Sequence, residues 1–96
     1  MLREYELVTI WNPDLGDEGV ANAVERLKTS IQARGGEVTD TNVWGRRKLA
    51  YFIKKRAEGH YVVMQLKLDA ARAAELESQL NINEDVLRHL LVRTDE

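Results

Sequence analysis

Two stretches with helical spacing of apolar residues, 17–34 and 70–80, each lie between stretches of extended character. That order leaves few folds open. In the first stretch Val20, Val24, Leu27 and Ile31 stand at i, i+4, i+7 and i+11, a single helical stripe. Asp14 or Asp17 is placed to cap its start. Gly35-Gly36 ends it, because glycine accepts the left-handed C-cap conformation. In the second stretch Ala73, Leu76 and Leu80 form the stripe, and Asp69 is a good N-cap.

The extended stretches complete the pattern. Residues 2–11, LREYELVTIW, carry apolar side chains on both alternating faces toward their end, which predicts a central, covered strand. Asn12-Pro13-Asp14 ends it, since proline cannot donate to a ladder. Residues 37–44 are rich in Val and Thr, Gly45 interrupts, and Leu49–Ile53 resumes, which predicts a long strand bulged at the glycine. Residues 54–59 read as a polar hairpin connection and 60–68 as the next strand. After a loop at 81–84, residues 86–93 form the last strand, with Leu87, His89 and Leu91 opposite Val86, Leu90 and Val92. The order βαββαβ predicts one α+β domain over 1–96, a ferredoxin-like four-stranded antiparallel sheet with two helices on one face.

Chemistry is conspicuous by what the chain lacks. There is no cysteine among its 96 residues, which excludes a disulfide framework, a thiolate metal site and a cysteine nucleophile. No apolar run approaches the roughly 20 residues of a membrane span. Met1–Glu6 reads as no signal peptide, because acids follow at once. His60 and His89 fall on different strands without metal-ligand spacing, and the common nucleophile, phosphate-loop and dinucleotide motifs are missing. We expect no catalytic residue, metal, cofactor or small-molecule substrate.

Charge is the informative property. The net charge is −2, but six of the 14 basic residues, Arg46, Arg47, Lys48, Lys54, Lys55 and Arg56, fall within one acid-free segment. The other 85 residues hold the remaining eight basic residues against all 16 acids. A cationic segment in an acidic background is the footprint of a phosphate-rich partner. Trp44, Tyr51 and Phe52 interleave with it, and aromatic rings can stack on unpaired bases. Leu49 and Ile53 read as core from their alternation, while Tyr51 serves either use and Trp44 leans toward packing. Arg88 and Arg93 read as ordinary surface charges.

The block Trp44-Gly45-Arg46-Arg47-Lys48-Leu49-Ala50-Tyr51, with Ile53 and Lys54, resembles the bacterial small-subunit ribosomal protein six family. Tyr5-Glu6, Asn12-Pro13, Gly35-Gly36, Gly59, Tyr61, Asn83, Val86-Leu87-Arg88 and Arg93 extend the likeness along almost the whole chain, and Phe52 departs from it. The resemblance implies a ferredoxin-like structural protein of the cytoplasmic ribosome. It would bind the central domain of small-subunit rRNA together with small-subunit ribosomal protein eighteen. It also implies that Arg3 and Tyr5 lie near RNA or partner, beside Arg46, Arg47, Lys48, Tyr51 and Lys54. Lys55 and Arg56 join this set through the charge pattern. Two other readings compete: a small-molecule-binding regulatory module, and an acylphosphatase-like enzyme using Asn12. Neither has a supporting pocket or arginine–asparagine signature in the sequence.

Overall fold

A computed structural model describes residues 1–95. Its order is β1 (Leu2–Trp11), a short 3-10 turn (Pro13–Leu15), α1 (Gly16–Ala33), β2 (Glu37–Ile53), β3 (Arg56–Asp69), α2 (Ala70–Ile82) and β4 (Val86–Arg93). The four strands form one antiparallel sheet in the order β2-β3-β1-β4. This is the expected ferredoxin-like arrangement, with β1 central as its two apolar faces require.

The period-two pattern sorts side chains between the faces. On the helix side, Leu7 and Trp11 of β1 meet Val62, Met64, Leu66 and Leu68 of β3 in a buried cluster with Val20, Val24, Leu27 and Ile31 of α1 and Leu76 and Leu80 of α2. Each fully buried aliphatic side chain contributes about 1.5–3 kcal/mol. Trp11 donates its indole N–H to Thr9 Oγ1 at 2.8 Å, and the Thr9 hydroxyl donates to Val62 O at 3.2 Å, so these two buried polar groups are satisfied. Ser30 Oγ donates to Gln79 Oε1 at 2.7 Å, joining the two helices.

The helix ends differ in how well they follow expectation. Gly35 takes φ 78°, and the Gly35 and Gly36 amides donate back to Gln32 O and Ile31 O, both at 2.9 Å, a Schellman stop. Asp69 caps α2, accepting from Ala71 N at 2.9 Å. Neither Asp14 nor Asp17 caps α1. Instead Asn12 Oδ1 accepts from Asp14 N at 3.0 Å to start the 3-10 turn, and α1 follows from Leu15 without a side-chain cap.

Two strand expectations need correction. Residues 56–59 belong to β3, and the connection is the two-residue turn Lys54-Lys55 between paired Ile53 and Arg56. In β4 the pairing with β1 slips at Ile10/Trp11, so Leu87 is an inserted residue. The bulge turns Val86 to the helix side with His89 and Leu91, and Leu87 joins Ile10 beneath the open face.

Candidate nucleic-acid interface

The cationic segment occupies the far half of the β2–β3 hairpin. Up to Val43 the hairpin lies against α1. Beyond it His60 still reaches Asp17 of α1 and Arg56 reaches Asp14 of the 3-10 turn, while Leu49–Ile53 turn onto the open face of the sheet. Gly45 makes the transition. Pairing jumps from Val43↔Val62 to Gly45↔Tyr61, Gly45 takes φ 84°, and Trp44 is the extra residue. The indole is thereby pushed out of the ladder. It is 50% exposed and stacks on Tyr61, with ring centroids 6.1 Å apart and planes within 10°.

Past the bulge, alternation divides the cations. Arg46 pairs opposite His60 and Lys48 opposite Glu58, on the helix side, whereas Arg47 pairs opposite Gly59 and faces the open side. The six cations are therefore a two-sided ribbon and not one row. Nor are they alike. Arg46 Nε sits 3.3 Å from Glu58 Oε1, Arg56 Nη1 sits 2.6 Å from Asp14 Oδ2, and Lys54 Nζ donates to Val86 O at 2.9 Å. Arg47, Lys48 and Lys55 are exposed, and no hydrogen bond or ion pair holds their side chains among the described residues.

The tip of the hairpin leans over the open face of the sheet. Arg88 of β4 donates to the Tyr51 hydroxyl, and Leu49, Tyr51 and Ile53 line a pocket with Val8, Ile10, Tyr61 and Leu90. Leu49 and Ile53 are half-buried here, beneath the hairpin and outside the helix-covered cluster where core residues were expected. Phe52 points outward and is 73% exposed. Leu90 and Val92 leave an exposed apolar strip on the same face of β4.

The β1 residues stand apart from this hairpin. Arg3 pairs with Leu68 while Arg46 pairs with His60, so they are separated by eight residues of β3, about 26 Å. Tyr5 is only 8% exposed and packs in the main cluster, so its ring is not offered to a partner. His60 and His89 pack against Asp17 and Glu77 at 3.8 and 3.7 Å. No group of three metal-binding side chains occurs among the described residues. Sequence reads Arg88 as an ordinary surface charge and Tyr61 as part of the family likeness; the structure brings both to the open face beside Tyr51. Arg88 meets Tyr51 from 37 residues away, and no local signal announces that.

Comparison with known proteins identifies the family. The family model described as ribosomal protein S6 matches residues 4–93. The chain belongs to the ribosomal protein S6 family. The small ribosomal subunit protein bS6 of Carboxydothermus hydrogenoformans is 47% identical over 96 residues, covering 100% of both chains. That of Thermoanaerobacter pseudethanolicus is 45% identical over 95 residues, covering 99% of this chain and 100% of the other. The crystal structure of 30S ribosomal protein S6 from Thermotoga maritima superimposes with a TM-score of 0.91 at 34% identity, covering 98% of this chain and 89% of that one. As a member of this family the chain is a structural constituent of the small ribosomal subunit in the cytoplasm, not an enzyme.

Proposed function

We propose that this chain binds the central domain of small-subunit rRNA together with small-subunit ribosomal protein eighteen. One observation carries the reading. Arg47, Lys48 and Lys55 stand on the far half of the β2–β3 hairpin, exposed and without an acidic partner among the described residues. Exposed cations without an acidic partner suit phosphates. Arg46, Lys54 and Arg56 add charge but must first loosen the contacts they already make, and Tyr51 offers its exposed ring at the tip. Arg3, at the opposite end of the sheet, serves a second and separate contact. Tyr5 supports that end from within the core.

The protein partner is assigned to the open face over β1 and β4, where Val8, Leu90 and Val92 present apolar surface without a helix above them. RNA and partner then touch different parts of one small sheet. Their binding is linked, each strengthening the other by the same factor.

Replacing Arg47, Lys48 and Lys55 together with alanine tests the RNA contact. Binding to an rRNA central-domain transcript should weaken, and its log–log salt dependence should fall by roughly 0.7 per lost phosphate contact, about 2 in all. An unchanged slope would reject the reading.

A further inference from the structure

We propose that Trp44 and Tyr61, with Arg47 beside them, form a stacking site for one unpaired RNA base. This rests on the RNA-binding reading above and adds to it a recognition element outside the cationic run.

The geometry begins with the bulge. A residue inserted between Val43↔Val62 and Gly45↔Tyr61 is free of the ladder, and here it is the largest side chain available. Buried tryptophan would be ordinary packing, and Trp11, at 1% exposure, is that case. Trp44 instead is half exposed and belongs to no buried cluster. Tyr61 lies parallel beneath it, within 10°, so the two rings already form the start of a stack. A flat aromatic base can extend that stack with the same offset geometry the rings themselves adopt.

Arg47 decides the chemistry of the occupant. It lines the same shallow hollow as Trp44 and Tyr61. Glu58 lies on the opposite face of the hairpin with Arg46, and no acid pairs with Arg47 among the described residues, so its charge is open to an incoming anion. Burying an unpaired guanidinium under an apolar protein surface is costly. Placing it against a nucleotide satisfies it, because the phosphate attached to a stacked base supplies the counter-charge. Three residues line the hollow, too few to enclose a free small molecule, whereas a base held by its own backbone needs only a platform.

The two tryptophans make the test direct. The full chain is titrated with the rRNA central-domain transcript, with and without small-subunit ribosomal protein eighteen, while tryptophan emission is followed. Wild-type emission should be quenched on binding. In Trp44→Phe only the buried Trp11 remains, so quenching should vanish while affinity is largely kept. Trp44→Leu should weaken binding roughly 5- to 150-fold, the effect of losing one base–aromatic stack. Its salt slope should be unchanged, because no phosphate contact is removed. A thermal melt of each variant verifies folding, which an exposed position should not disturb. Salt-dependent RNA binding without quenching, or Trp44→Leu binding as tightly as wild type, overturns the base site and leaves the RNA reading standing. Loss of protein-eighteen capture with RNA affinity intact also overturns it, by making Trp44 a protein seat. Absence of any salt-dependent RNA binding by wild type, with the partner present, overturns both.

Discussion

Arg46 Nε lies 3.3 Å from Glu58 Oε1 across the β2–β3 hairpin, so an acid from the next strand neutralises part of the cationic segment. The pair is solvent-exposed on both sides, at 58% and 49% of the side-chain surface. Its contribution to stability is accordingly small, about 0–1 kcal/mol. In the proposed RNA contact, Glu58 competes with phosphate for Arg46.

Glu58→Gln should therefore release Arg46 with little change in stability. The salt slope for rRNA binding should steepen by roughly 0.7 if Arg46 then takes a phosphate. A salt series of binding curves for the two proteins measures this. An identical slope would mean that Arg46 is already committed to RNA in the complex, or never reaches it.

Glu58 also explains where sequence reading stopped. Strand 2–11 and the second helix are legible because burial imposes a period on them; strand 86–93 is legible as a strand, but its faces are not, because the bulge inserts Leu87. Residues 56–59 looked like a loop because they are polar and contain glycine. They are strand because pairing with β2 holds them, with no apolar alternation to announce it. The cationic run was plain in sequence. Its internal differences were not, because Glu58, Asp14 and the Val86 carbonyl all come from outside it. The cap of the first helix differs for a similar reason: Arg56 of β3 takes the Asp14 carboxylate, and Asp17 already lies inside the first turn.

The hairpin turn carries backbone strain. Lys54 and Lys55 have φ of 49° and 67°, the left-handed conformations that a two-residue turn demands and that Asn-Gly meets more easily. Lys54 is held by its bond to Val86 O, which leaves Lys55 as the position to change. Lys55→Gly removes about 1–2 kcal/mol of left-handed strain, partly offset by the freedom glycine gains in the unfolded chain. The net expectation is a stabilisation of up to about 1 kcal/mol, read as a higher urea midpoint at unchanged m. The same change should lower the RNA salt slope by roughly 0.7. A gain in stability with a loss in binding would mark the strain as retained for the charge.

Gly59 has a different reason to be glycine. A Cβ there would stand 2.3 Å from Ile10 Cγ2 and 3.5 Å from Leu49 Cδ2, beneath the leaning hairpin. Gly59→Ala should destabilise the protein by about 1–3 kcal/mol through overpacking. For a domain of this size that lowers Tm by roughly 4–8 °C per kcal/mol. Adding Ile10→Ala removes the clashing methyl, so the double variant should be more stable than the sum of the single effects predicts. Strict additivity in a double-mutant cycle would show that the strain is relieved elsewhere.

Asp69 gives the fold an acid-sensitive joint between the chain start and the second helix. Its carboxylate accepts from Ala71 N at 2.9 Å and from the terminal ammonium of Met1 at 3.0 Å. The Ala71 hydrogen bond, followed by the bond and charge of the terminal ammonium, lowers its pKa from the ordinary value of 3.8. A carboxylate with a depressed folded pKa stabilises fully above its unfolded value, and that stabilisation disappears as pH falls through the folded one. Asp69→Asn keeps a competent cap acceptor and removes the charge. It should be less stable than wild type at neutral pH, and the gap should close as pH falls below about 4. Thermal melts of both proteins across that range provide the check. A gap that stays constant with pH would show that the cap works through geometry alone, with no contribution from the charge.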